Sequence, residues 1–322
     1  MTTKPTRGSD LNCLLCRGPS WTLLYRSDDK EYHCKPGEWD IVRCDQCGHV
    51  SLHPIPPAEE VASLYPDTYY TVNRTSPLFS QGSIYEKKLV YDAKKLRRQL
   101  REEKVTAIID IGCGDVKRVA AFKDAFADQQ ASATAFDILF NEAAKATARA
   151  RGVEVREGNI ETNVDSLQDN TYDLALMRQL FEHLRDPRRA LENLRPKLKQ
   201  GALLIIDTPN VGGLDYKFFK DSYWGGYHMP RHFHLFNQRS LCQIVEEAGF
   251  TIQDKGYLPS IGFWIISLRV KFGLDCAATT KSFWEWITIK NIPLAGAFTV
   301  LDLLCIKLGM QTSNHFVVAR KK

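Results

Sequence analysis

The tightest constraint on this chain is the stretch Ala107-Ile108-Ile109-Asp110-Ile111-Gly112-Cys113-Gly114-Asp115. It reads as a short apolar strand running into a glycine turn, with a carboxylate two residues ahead of the first glycine. Glycines at 112 and 114 let the backbone adopt positive φ and approach a ligand closely. A dinucleotide site would need a third glycine opening a helix, so that a pyrophosphate sits on the helix N-terminus. Lys117 stands where that glycine would fall, and Asp110 repels phosphate. A carboxylate at the end of a strand instead suits a cation such as an amino group.

Strand-like segments then follow in order. Thr134-Ala135-Phe136-Asp137 ends in an acid at the position where such folds bind ribose hydroxyls. Val153 to Glu157 leads into the loop Gly158-Asn159-Ile160-Glu161, and Tyr172 to Met177 leads into Arg178-Gln179-Leu180-Phe181-Glu182-His183-Leu184-Arg185-Asp186-Pro187. Arg188 to Arg195 reads as helix up to Pro196, Gly201 as a turn, and Ala202 to Asp207 as a fifth strand. Thr251 to Leu258 and His315 to Ala319 read as the last two strands.

This order resembles the class I S-adenosylmethionine-dependent methyltransferases, whose first motif is an acid followed by G-x-G-x-G and whose fourth strand precedes an "EH-hydrophobic-x-DP" loop. The resemblance implies an α/β fold with a Rossmann-like, doubly wound, seven-stranded sheet, and S-adenosylmethionine as cofactor. It assigns Asp110, Gly112, Cys113 and Gly114 to the methionine end and Asp137 to the ribose, with Ile138 beside it. Asn159 is assigned to the adenine amine, Ile160 to the ring face, and Arg178 and Gln179 to the cofactor-facing end of the fourth strand. One departure is Val116, at the position of the family's third glycine. A β-branched residue there is expected to crowd the methionine end or to alter the turn.

At 322 residues, with 44% hydrophobic and 25% charged residues, the composition is that of a globular protein with one large domain and a smaller appendage. A net charge of +5 without a basic, aromatic-interleaved patch argues against nucleic acid as partner. The polar N-terminus lacks an apolar run before Leu14, so a cytoplasmic enzyme is expected. Cysteines in that compartment are read for metal rather than disulfides. Cys13-Leu14-Leu15-Cys16 and Cys44-Asp45-Gln46-Cys47 are paired C-x-x-C knuckles, with Gly48 allowing the turn after the last thiolate. Segments Trp21 to Arg26 and Trp39 to Arg43 suit the strands of a zinc ribbon, and the ion would supply stability that so small a module lacks. Cys34, His33, His49 and His53 are alternative ligands, while Cys113, Cys242, Cys276 and Cys305 read as core.

From Ile41 to Tyr70 the chain resembles a bacterial methyltransferase subfamily in which a cysteine ribbon, a proline-rich link and a "Y-P-x-x-Y-Y" segment precede the cofactor domain. Tyr69 and Tyr70 there close over the site or pack the ribbon onto the core. Ser83 to Glu103 has the spacing of an amphipathic helix.

The segment Tyr223-Trp224-Gly225-Gly226-Tyr227-His228-Met229-Pro230-Arg231-His232-Phe233-His234-Leu235-Phe236 resembles the family's "W…PRH-x-x-x-F" loop and is expected to line the acceptor pocket through Trp224, Arg231 and His234. Methyl transfer from a sulfonium requires alignment and removal of a proton. His232 is the first candidate base and His183 the second, with Glu182 orienting either one. Two structural alternatives are open: His232 pins the loop to backbone, and Arg231 pairs with a loop acid instead of an acceptor phosphate or carboxylate.

Residues 259–310 are rich in apolar stretches and admit three readings: a helical lid, a homodimer surface, or an interfacial helix pair that holds the enzyme near a membrane. The expected units are a zinc ribbon over 1–57, a helical cap over 58–104, the S-adenosylmethionine-binding core over 105–258, and a helical insert with the final strand over 259–322. The expected activity is methylation, at O or C, of a small polar acceptor such as a sugar, nucleotide sugar or lipid-linked glycan. Two alternatives are a degenerate fold that binds without catalysis and a nucleic-acid methyltransferase.

Overall fold

The computed structural model describes residues 12–66, 69, 82–274 and 286–322. Tyr70 and Cys276 lie outside them. The strands are β1 (Trp21–Ser27), β2 (Trp39–Cys44), β3 (Val50–His53), β4 (Ala107–Ile111), β5 (Ser132–Asp137), β6 (Glu154–Glu157), β7 (Tyr172–Arg178), β8 (Leu198–Pro209), β9 (His234–Leu235), β10 (Phe250–Leu258) and β11 (Asn314–Lys321). The helices are α1 (Ala58–Val61), α2 (Ile84–Gln99), α3 (Lys117–Ala125), α4 (Glu142–Arg151), α5 (Pro187–Leu194), α6 (Leu214–Phe219), α7 (Gln238–Glu247), α8 (Ile261–Lys271) and α9 (Ile292–Lys307).

Seven strands form one sheet in the order β10-β11-β8-β7-β4-β5-β6. The pairs among β8, β7, β4, β5 and β6 are parallel, whereas β11 runs antiparallel to both neighbours. This is the Rossmann-like methyltransferase sheet. Its central strands are apolar on both faces because helices cover both. With a side-chain period of two, Ile109, Ile111, Ala175, Met177, Leu204 and Ile206 pack with Leu191, Leu194, Leu241 and Ile244 from α5 and α7. The alternate residues Ile108, Leu174, Leu176, Leu203 and Ile205 pack with Leu89, Ala93, Val119, Phe122, Ala144 and Ala148 from α2, α3 and α4. Helix boundaries follow local chemistry: Ser83 caps α2, Asn141 caps α4, and Gly152 closes α4 at φ 59°.

Gly201 differs from its expected role. It lies within β8 at φ 75° rather than in a turn before it. Tyr172 pairs with Leu198, and Leu174 with Leu203, so β8 carries extra residues against β7 and the glycine absorbs the irregularity.

The N-terminal module is an antiparallel sheet of order β1-β2-β3-β9. Its fourth strand is not its own. Val50 pairs with Leu235 and Ser51 with His234, so the loop of the large domain over residues 223–236 completes the ribbon sheet.

The segment after β10 forms α8 and α9. Both are apolar around their circumference. Trp264 and Cys305 are buried, whereas Ile292, Val300, Leu303, Leu304 and Leu308 are exposed. Among the described residues no helix is long and apolar enough to cross a membrane. Buried Asp302 anchors α9 to α8, accepting from the Ser260 amide at 2.6 Å and from Trp264 Nε1 at 3.1 Å. Asp302→Ala would leave both donors buried without an acceptor, at an expected cost of about 2–3 kcal/mol. Urea denaturation should reveal the loss, and an unchanged midpoint would show that the anchor contributes nothing.

Candidate active site

The carboxyl ends of the strands meet at the glycine turn. Gly112 and Gly114 have φ of 68° and 61°. The Gly112 amide donates to the Phe136 carbonyl at 2.8 Å, tying the turn to β5. A Cβ at Gly112 would lie 2.8 Å from Leu180 Cδ1, so the position admits no larger residue. Asp137 accepts from the Gly114 amide at 2.9 Å and the Ile138 amide at 2.8 Å. Burial pushes its carboxyl up, and those two N–H groups oppose the shift. Asn159 Oδ1 accepts from the Glu161 amide at 2.8 Å and shapes the loop after β6, with Ile160 buried beneath it.

Asp110 is placed differently from its expected role. On β4 it shares the face of Ile108 and meets α3, where Arg118 binds both its oxygens at 2.7 Å. The cation at Asp110 is therefore a guanidinium of this chain. Burial pushes the carboxyl up, and the Arg118 charge works against that. Arg118 also donates to the Arg178 carbonyl at 3.3 Å. Arg178 pairs with Asp207, to which Gln179 Nε2 donates at 3.0 Å. Burial disfavours ionised Asp207, but Arg178 holds it low.

Val116 retains the backbone of a glycine, at φ 67° and ψ −14°, as N-cap of α3. Its side chain is fully buried in the apolar cluster under α2 and α3. The branched side chain packs into the core, and the backbone takes the left-handed conformation that a glycine adopts freely. Such a conformation costs roughly 1–3 kcal/mol in a non-glycine residue.

Beside the glycine turn, the turn after β7 brings Glu182 and His183 against the loop that carries His228 and His232. The Phe233 amide donates to the Glu182 carbonyl at 2.7 Å. Thr208 Oγ1 donates to Glu182 Oε2 at 2.9 Å, while Glu182 Oε1 is buried without a hydrogen-bond partner. Burial raises this carboxyl to about 8. His232 Nδ1 donates to the Gly226 carbonyl at 2.8 Å, and its Nε2 lies 3.9 Å from Glu182 Oε1. His183 Nδ1 donates to the Arg231 carbonyl at 3.1 Å, with the Tyr65 hydroxyl 3.0 Å from the same nitrogen. Burial lowers both imidazoles, His183 to about 3, which keeps them neutral.

Residues 85–255 match the family described as "Methyltransferase domain". The chain belongs to that family. The chain is 25% identical over 124 residues to a ubiquinone biosynthesis O-methyltransferase of Rickettsia typhi, a match covering 38% of this chain and 49% of that one. The chain spans about half the length of the curated relatives it matches. Among solved structures it is similar to the 1,6-didemethyltoxoflavin-N1-methyltransferase of Burkholderia thailandensis, at 14% identity and TM-score 0.49, covering 86% of this chain and 97% of that one. It is also similar to coclaurine N-methyltransferase, at 15% identity and TM-score 0.49, covering 83% and 82%.

In this methyltransferase-domain protein the ribbon thiols converge. Sγ of Cys13 lies 3.5 Å from that of Cys47, and Sγ of Cys16 lies 3.5 Å from that of Cys44. All four fall within 4.8 Å of one another, and the described cysteines are free thiols. Tetrahedral zinc with bonds of about 2.3 Å fits such a set and leaves no open position. Cys34 stands apart and donates its thiol proton to Asp29.

Three residues expected to line the acceptor pocket are built into the protein instead. Trp224 is fully buried and donates Nε1 to Asp215 at 2.9 Å. His234 belongs to β9, with Nε2 donating to the Arg185 carbonyl at 3.2 Å and Nδ1 3.2 Å from His49 Nε2. Arg231 is fully buried and binds Asp29 at 2.8 and 3.2 Å and the Leu64 carbonyl at 2.7 Å. No donor of Arg231 is spare for an acceptor anion, and the ion-pair alternative describes it. Tyr69 is buried, its hydroxyl 3.1 Å from His228 Nε2, and it stacks edge-on against Tyr65. Ile138 is exposed at the rim.

Sequence reasoning missed Asp29 and Glu31, ribbon acids that hold Arg231 and His228 Nδ1 (2.8 Å), and Arg118, which holds Asp110. The cluster Asp28-Asp29-Lys30-Glu31 between the knuckles was the one available signal, and it did not name a partner. Burial alone would raise the Asp29 carboxyl, but Arg231 holds it well below the usual carboxylate range. Asp29→Asn should therefore cost about 3–5 kcal/mol at pH 7 by leaving a buried charge unpaired. Because the folded pKa is depressed, the stabilisation is present above the unfolded value of about 3.9 and is lost as pH falls through the folded one. Parent and variant should converge in acid denaturation profiles. Equal stability at pH 7 would refute the assignment.

Proposed function

We propose that this protein transfers the methyl group of S-adenosylmethionine to a small polar acceptor, with a sugar or nucleotide sugar as the acceptor class. The observation that carries the proposal is adjacency. The glycine turn follows β4 and the Glu182–His183–His232 cluster follows β7, and these strands pair directly, Ile111 opposite Met177. In this reading the amides at Gly112, Cys113 and Gly114 receive the methionine end and Asp137 the ribose hydroxyls. Asn159 and Ile160 receive the adenine. Arg178 and Gln179 shape the cleft floor.

Attack on a sulfonium methyl group needs a nucleophile aligned opposite sulfur and a group to take its proton. His232 Nε2 is the base in this proposal, with His183 and Glu182 beside it. The polar character of the cluster favours a hydroxyl-rich acceptor, and the name of the Rickettsia typhi relative favours oxygen over carbon as the methylated atom.

Calorimetry on the zinc-loaded protein is expected to show S-adenosylhomocysteine binding. Asp137→Ala should weaken it by roughly 10- to 150-fold, the equivalent of losing about 1.5–3 kcal/mol of charged hydrogen bonding. His232→Ala should retain that binding and lose roughly 10²- to 10⁴-fold in turnover on an identified acceptor. Absence of binding in the parent would favour a degenerate methyltransferase fold that acts as a binding protein.

The insert supports a finer reading, in which the acceptor is lipid-linked. Ile292, Val300, Leu303 and Leu304 are exposed on α9, as is Leu308 at its C-cap, and Lys271, Lys290 and Lys307 are exposed nearby in sequence. Apolar side chains beside lysines suit an anionic bilayer surface. The protein is expected to float with vesicles containing anionic lipid, and Leu303→Asp with Leu304→Asp should abolish flotation. Flotation unaffected by both changes would leave the insert without a membrane role.

A further inference from the structure

Half-buried His183 and buried His232, at the candidate active site, are prepared in a way that suits a metal ligand as well as a general base. His183 and His232 each commit Nδ1–H to a backbone carbonyl, at 3.1 and 2.8 Å. This fixes the tautomer and leaves Nε2 as the lone-pair nitrogen, and neither Nε2 has a hydrogen-bond partner among the described residues. Metal-bound imidazoles are oriented in this way, by donation of the other ring nitrogen to a carbonyl or carboxylate. The third ligand type is also present. Glu182 is fully buried, Thr208 occupies Oε2, and Oε1 faces His232 Nε2 without a partner. One ligand atom from each of Glu182, His183 and His232 lies within 4.8 Å of the others.

The neighbouring histidines show the contrast. His228 uses both nitrogens on protein, Glu31 at 2.8 Å and the Tyr69 hydroxyl at 3.1 Å. His234 likewise uses both. Among the described residues, only the two imidazoles beside Glu182 combine a carbonyl-anchored Nδ1 with an uncommitted Nε2 next to an orphaned carboxylate oxygen.

We propose that Glu182, His183 and His232 bind a divalent transition-metal ion such as Zn²⁺, Fe²⁺ or Co²⁺, at a second metal site distinct from the cysteine ribbon. Two imidazoles and a carboxylate suit this class of ion, whereas Mg²⁺ and Ca²⁺ favour oxygen ligands. Ligand atoms around a tetrahedral ion with bonds of about 2.0–2.1 Å sit roughly 3.3 Å apart, so the set needs to contract by an ångström or so. Three protein ligands leave coordination open. The ribbon, with four thiolates, does not. The open position would take an acceptor oxygen and select acceptors that present a hydroxyl or carbonyl; with the ion bound, His232 Nε2 is a ligand and no longer the base, and the ion instead lowers the pKa of the hydroxyl it holds. That acceptor role rests on the methyl-transfer reading, whereas ion binding does not.

The test is cobalt titration of the full-length, zinc-loaded protein after dialysis against a weak chelator, with metal content counted before and after. The expected result is one further equivalent of Co²⁺ with weak visible d–d bands and no sulfur-to-cobalt charge transfer, because the thiolates already hold zinc. Glu182→Gln and His183→Gln should each lower affinity for that equivalent at least tenfold while keeping the parent's circular dichroism and ribbon zinc. Uptake only with sulfur charge transfer, or no uptake by the parent, would overturn the site. So would a second equivalent that binds with parental affinity in both variants. If a variant fails to fold, the parent's stoichiometry and spectrum still decide. S-adenosylhomocysteine calorimetry on the same sample separates the two proposals: cofactor-product binding without cobalt uptake retains methyl transfer and removes the metal.

Discussion

Arg231 is the residue on which the geometry of the candidate site depends. A guanidinium with no solvent exposure has to spend its donors on protein, and Arg231 places them on Asp29, the Leu64 carbonyl and the Met229 carbonyl. Asp29 belongs to the ribbon, Leu64 to the link after it, and Met229 to the loop of the large domain. One cation thus joins three segments, and its own carbonyl accepts from His183. The distance between β7 and the loop that carries His228 and His232, and hence the spacing of Glu182, His183 and His232, depends on a counter-charge, Asp29, that the large domain does not contain.

The ribbon is therefore more than a metal-stabilised appendage. Glu31 holds His228 and the Tyr223 hydroxyl, at 2.8 and 2.9 Å, and Ser51 Oγ donates to the Phe233 carbonyl at 2.8 Å. Aromatic residues from both units, among them Trp39, Tyr223, Trp224 and Tyr227, share one buried cluster. Local strain is tolerated by the same logic of burial. Val116 sits in a glycine conformation costing roughly 1–3 kcal/mol, but full burial of a valine contributes about 1.5–3 kcal/mol, so the substitution is close to neutral for the fold.

Much of the architecture was legible because it is written in local chemistry. Apolar runs of strand length, the acid at the end of β5, the glycine turn, and the two C-x-x-C pairs each state their structure within a few residues. β1, β2, β7, β10 and β11 lie where the sequence put them, to within a few residues at their ends. What could not be read is pairing over long distance. Asp110 and Arg118 are close in sequence, but their contact depends on the parity of β4 and the rotation of α3. The loop histidines all looked alike, and only the structure separates His234, spent in a strand, from His232, whose Nε2 is unspent. Trp224 and Arg231 looked like recognition residues because aromatic and cationic side chains in a glycine-containing loop usually face a ligand, yet here the ribbon and the insert cover them.

The pairing of β3 with β9 has a consequence for how the chain is made. His49 and His234 are in contact across 185 residues of sequence. The ribbon strands β1 to β3 leave the ribosome well before β9, and β3 keeps an open edge until Leu235 has been synthesised. An unpaired edge is a template for pairing with other chains, so the ribbon sheet stays open while the strands from β4 to β8 are made. Its exposure lasts for most of the time needed to translate the domain it will eventually hold in place.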